Sequence, residues 1–108
     1  MSSGTQLWKL QASDAATYDN FGQSVALSGT TAIIGAPGDD DNGPSSGSAY
    51  LFDTTTGAQI AKLTASDGAD SDYFGLYVAI NDTTAIVGAS GNDDNGSDSG
   101  SAYLFDTT

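Results

Sequence analysis

Polar and apolar positions alternate along the chain in short runs, and the runs come in two matching sets. In residues 21–28, Phe21, Gln23, Val25 and Leu27 fall on one face of a strand, and Gly22, Ser24, Ala26 and Ser28 on the other. A strand with one face of small residues can lie close to a neighbouring sheet. Residues 31–36 (TAIIGA) are apolar almost throughout, which predicts a strand covered on both faces. A tight turn at Ser28-Gly29-Thr30 joins these two. Residues 48–53 (SAYLFD) form a third strand, and Thr54-Thr55-Thr56-Gly57 turns into a fourth at 58–65 (AQIAKLTA). The opening residues 5–12 (TQLWKLQA) carry the same pattern as that fourth strand.

The pattern then repeats with an offset of 53: Gly4 aligns with Gly57, Leu10 with Leu63, Phe21 with Phe74, Gly35 with Gly88 and Tyr50 with Tyr103, without gaps. About two-thirds of the aligned positions are identical. A period near 50 with four strand signals is that of a β-propeller blade. The predicted fold is all-β, two four-stranded antiparallel propeller blades. Residues 4–55 form the first repeat, with an outer strand at 4–12 and then strands within 21–53. Residues 57–108 form the second, with an outer strand at 58–65 and strands within 74–106. Residues 1–3 precede the repeat, and Met1-Ser2-Ser3-Gly4 reads as a start placed on an excised or designed segment.

Composition supports the strand reading. All fourteen acidic residues are Asp, and the only basic side chains are Lys9 and Lys62. Asp suits turns and caps, whereas Glu, Lys and Arg are the usual surface residues of helices. The net charge of −12 argues against nucleic acid and anionic membranes as partners. No apolar run is long enough for a membrane-spanning helix, and no leader pattern is visible. Without Cys there are no disulfides or thiolate sites, and without His the commonest general base is missing.

Phe21-Gly22, followed by Gly35-Ala36-Pro37, with Phe74-Gly75 and Gly88-Ala89-Ser90 in the second copy, resembles the FG-GAP repeat of integrin α heads and bacterial extracellular proteins. Gly-Ser-Ala-Tyr-Leu-Phe at 47–52 and 100–105 resembles that family's next strand. The resemblance implies a propeller, an extracellular or cell-surface parent, and an interaction role. Phe21 and Phe74 are expected to plug the space between blades, with Gly22 and Gly75 permitting close backbone approach. The integrin calcium loop lies between the first and second strands of a blade. Here the matching turns, Ser28-Gly29-Thr30 and Asn81-Asp82-Thr83, are too short to encircle an ion.

The acidic residues cluster in the following loop: Asp39, Asp40, Asp41 and Asn42, matched by Asn92, Asp93, Asp94 and Asn95. Calcium takes six to eight oxygens, and each loop offers about four or five. Gly38 and Gly91 stand where the first Asp of a helix–loop–helix calcium site would be, and no Glu closes the loop. The competing reading is a set of Asx turns ending in Asn-Gly. Strand order puts most of the Asp residues on one face of the blades, and only Asp53, Asp82 and Asp106 on the other. No cofactor is required on this reading, with calcium the one candidate. Carboxylates are the only acid–base equipment, in repeated loops without a pocket-forming insertion, which points away from an enzyme.

In a propeller, strands run from the central channel outward. Residues 5–12 are then an outermost strand whose blade lies elsewhere, and residues 101–106 end where an outermost strand should follow. Two blades cannot close a ring, since propellers have about four to eight. The expected solution is a homo-oligomer with strand exchange between chains, a trimer of six blades or a tetramer of eight. The alternative function is a calcium-dependent extracellular ligand-binding domain, adhesion-like or lectin-like, that uses the acidic face.

Overall fold

A computed structural model describes residues 4–12, 14, 19–38, 46–65, 72–91 and 100–107. Strands β1 (Ser24–Ser28), β2 (Thr31–Ala36), β3 (Ser48–Asp53) and β4 (Gln59–Leu63) form one antiparallel sheet in the order β1-β2-β3-β4. Strands β5 (Tyr77–Asn81), β6 (Thr84–Ala89) and β7 (Ser101–Asp106) form a second, in the order β5-β6-β7. Both are meanders, in which each strand pairs with the next in sequence.

The register repeats as the sequence does. Val25 faces Ile34 across β1 and β2, and Val78 faces Val87 across β5 and β6. The two hairpin turns are Gly29-Thr30 and Asp82-Thr83, with a positive φ at the first residue of each. That backbone suits the twist of a tight hairpin. A register shift between Leu51 and Phe52 marks an irregularity where β3 meets β4.

The sheets stack face to face. Ile33, Ala49 and Leu51 from the first meet Phe74, Ala85, Val87 and Ala89 from the second in one buried cluster. The small-residue side of β1 faces this cluster through Ala26, as the alternation predicts, while Val25 and Leu27 on the other side are exposed. A second cluster covers the far side of the first sheet: Ala32, Ile34, Ala36, Tyr50 and Phe52, closed over by Ala12, Leu10 and Phe21.

Two expectations shift in detail. Residues 5–12 do not form a strand. They run across the far side of the first sheet without a strand hydrogen-bonded alongside among the described residues, and strand character needs such a neighbour. The second sheet has three strands and ends on β7, the point at which an outermost strand is expected to follow. The first inner strand starts at Ser24 rather than Phe21. Gly22 has φ +96° and the Gln23 amide donates to the Asn20 carbonyl at 3.0 Å, so Phe21-Gly22-Gln23 is a turn.

Candidate functional site

The junction between the sheets is built around Phe74. Its ring is 1% exposed and packs edge-on against Tyr103 and Phe105, with centroids 5.5 and 5.8 Å away. Its backbone bridges Gly47, and its amide donates to the Ser46 carbonyl at 2.9 Å. The next residue, Gly75, presses its carbonyl against the first sheet, where it accepts a hydrogen bond from Ser24 Oγ at 3.1 Å. A Cβ on Gly35 would lie 1.9 Å from that carbonyl oxygen, so only glycine allows this approach. Phe74 therefore fills the space between sheets, as expected. Phe21 makes the same edge-on contacts with Tyr50 and Phe52, at 5.4 and 5.9 Å, on the opposite side of the first sheet.

That opposite side is held by a second constellation. Asp14 accepts hydrogen bonds from Tyr50 Oη at 2.8 Å and from Lys62 Nζ, and the lysine lies over the Tyr50 ring, 5.4 Å from its centroid. The Lys62 and Tyr50 hydrogen bonds hold the Asp14 carboxyl below its ordinary pKa. At the other end of the segment, Trp8 lies on Gly57 and donates its indole N–H to the Thr54 carbonyl at 3.0 Å. Thr54 belongs to a turn fixed by Asp53, whose Oδ1 accepts from the Thr55 amide at 2.8 Å and from Thr55 Oγ1 at 2.6 Å. These bonds lower the Asp53 pKa. Trp8 and Asp14 thus tie the N-terminal segment to the first sheet at both ends.

The Asp14–Lys62–Tyr50 group was not singled out by sequence reasoning. Its signal was available: Lys62 and Lys9 are the only cations, and they stand 53 residues apart in the repeat. The acidic-loop candidates Asp39, Asp40, Asp41, Asn42, Asn92, Asp93, Asp94 and Asn95 lie outside the described residues. The roots of both loops are described and match: the Gly38 amide donates to the Asp19 carbonyl at 3.0 Å, and the Gly91 amide to the Asp72 carbonyl at 3.1 Å. Asp19 and Asp72 are themselves buried. Among the described residues, no three carboxylates gather into a metal-binding group.

The FG-GAP repeat model matches residues 5–52 and again 58–105. The chain belongs to the FG-GAP repeat family. No curated protein matches it. FG-GAP repeats are structural and interaction modules, typically of extracellular proteins. The two antiparallel sheets are consistent with two propeller blades of this family, and Phe74-Gly75 is the family motif acting as the spacer between them. Blade 1 is the sheet β1–β4, and blade 2 is β5–β7.

Proposed function

We propose that this FG-GAP pair is a non-catalytic interaction module that assembles head to tail with copies of itself into a complete propeller, as a trimer of six blades or a tetramer of eight. One observation carries the reading. Leu10 and Ala12 pack on blade 1 as Leu63 and Ala65, their counterparts, pack at the junction with blade 2. That packing supports reading residues 5–12 as the outermost strand of a preceding blade, and blade 2 ends on β7 as its edge strand. Head-to-tail contacts of this kind form rings when the rotation closes.

Small-angle scattering tests it. A single chain has a Cα radius of gyration of 13.9 Å. A compact ring of three or four chains should give about 20–22 Å, from the usual size scaling. A value near that of the single chain would overturn the assembly reading.

A second proposal is calcium-dependent binding of an extracellular ligand through the acidic loops. It draws on the matched loop roots with buried Asp19 and Asp72, and calcium titration calorimetry tests it directly.

A further inference from the structure

The blades are successive copies of one unit, so the junction inside the chain specifies what the next junction would look like. On the face of blade 2 turned away from blade 1, Ile86 is 42% exposed and Leu104 72%. Their counterparts 53 residues earlier, Ile33 and Leu51, are 0% and 3% exposed because blade 2 covers them. At the other end of the molecule, Val25 and Leu27 are 66% and 68% exposed on the far face of blade 1. Their counterparts, Val78 and Ile80, pack into the junction. The two exposed surfaces are therefore the two halves of an interface the chain has already formed once. They sit on opposite faces of the molecule, which fits a head-to-tail contact between copies and not a two-fold one.

The glycines repeat the same complementarity. Gly75, with φ +95°, brings its carbonyl onto Gly35. Gly22 has the same backbone, with φ +96°, and no atom of the described residues within 4 Å of where its Cβ would be. Gly88 corresponds to Gly35, and a Cβ there would meet nothing closer than 3.6 Å, so this socket is open.

We infer that a second copy of this chain supplies its residues 5–12 as the fourth strand of blade 2, antiparallel to β7, with Leu10 opposite Ala102, Lys9 opposite Tyr103, Trp8 opposite Leu104 and Gln6 opposite Phe105. This is the β3–β4 register, in which Leu63, Lys62, Ala61 and Gln59 face Ala49, Tyr50, Leu51 and Phe52, displaced by one repeat. The inference rests on the self-assembly reading and adds its register and its contact face. In the same arrangement the Gly22 carbonyl of the second copy comes down on Gly88, and Lys9 lies over Tyr103 as Lys62 lies over Tyr50. The donated segment is already in place, because Leu10 and Ala12 pack on their own blade 1, leaving one edge for β7 of the neighbour. The new junction has Leu27 where the internal one has Ile80 and Ile34 where it has Val87, both apolar exchanges, and differs in character at two positions. Tyr77 stands where Ser24 does, so the Ser24–Gly75 hydrogen bond has no counterpart, and Trp8 stands where Ala61 does.

Cysteine cross-linking reads the register without background, because the chain has no Cys. One variant carries Trp8→Cys with Leu104→Cys, both at exposed positions, and another Lys9→Cys with Tyr103→Cys. Successive pairs in an antiparallel ladder alternate between wide and close spacing, so one of the two should suit a disulfide. Within one chain Lys9 and Tyr103 lie on opposite sides of blade 1, and Trp8 and Leu104 on opposite sides of both blades, so a link must join two molecules. Oxidation should give a ladder of linked chains on a denaturing gel in at least one variant. A slipped control, Lys9→Cys with Leu104→Cys, should give none, since a one-residue slip moves a side chain to the other face. Gly88→Ala, which the single chain has room for, should keep the circular dichroism spectrum and lose the assembled mass. An assembly of unchanged mass that links only in the slipped control, or that tolerates Gly88→Ala, would overturn the register and the contact face while self-assembly stands. A wild-type chain of monomer mass would overturn both.

Discussion

Gly35→Ala adds one methyl group at the closest approach between the blades. The new Cβ would sit 1.9 Å from the Gly75 carbonyl oxygen and 2.9 Å from its carbon. Both are backbone atoms, so no side chain can swing aside, and the blades must separate by more than an ångström to restore ordinary contact. That movement breaks the 3.1 Å bond from Ser24 Oγ to Gly75, a loss of about 1 kcal/mol. It also loosens the packing of Ile33 and Leu51 against Phe74, at about 1–3 kcal/mol for a strained core. Gly35 lies in a strand without a positive φ, so alanine returns about 0.4–1 kcal/mol through the unfolded chain. The net expectation is a loss of about 1–3.5 kcal/mol in urea unfolding, with an unchanged denaturant slope. A loss below about 0.5 kcal/mol would mean that the blades do not meet at this glycine.

Further outcomes follow from the same packing. Phe74→Ala should cost about 3–5 kcal/mol in urea unfolding, as for a fully buried phenylalanine. Phe21→Ala should cost clearly less in the dilute single chain, where that ring is only partly covered. Ser48→Ala should hold or raise the melting temperature, because Ser48 Oγ is buried without a hydrogen-bond partner among the described residues, which costs about 1–3 kcal/mol. Acid should loosen the N-terminal segment at its Asp14 end. The folded pKa of Asp14 lies below its ordinary 3.8, so its contribution is complete above that value and fades as pH falls through the folded pKa. Trp8, the only tryptophan, should report this as a fluorescence change below about pH 4, absent in Asp14→Asn; with the Asp14 side chain 45% exposed, the stability change itself should stay under about 1 kcal/mol. Calcium should raise the melting temperature, and chelation reverse it, if the acidic loops bind the ion; a flat calorimetric titration would refute that reading.

Much of this architecture could be read from residue order. The alternation in β1 told which side is small enough to face another blade, and Ala26 lies there. The near-continuous apolar run of β2 told that both its faces are covered, and Ile33 and Ile34 fall in the two separate clusters. The pattern of residues 5–12 shows an amphipathic extended segment, but alternation cannot say whether a partner strand lies alongside, and pairing is what makes a strand. Phe21 and Gln23 fit the alternation of β1, which hid the turn that Gly22 makes. The Asp14–Lys62–Tyr50 group joins residues 48 and 36 positions apart, beyond any local pattern. The contrast between Leu51 and Leu104 was likewise invisible, since identical sequence surroundings give a buried residue in one copy and an exposed one in the other.

The claim on which the rest depends is that each end of this two-blade chain is completed by another copy of it. Mass by light scattering, followed over a dilution series on the folded protein, tests this most directly. The account predicts one species of three or four times 10.8 kDa. A folded species of 10.8 kDa at every concentration would contradict it.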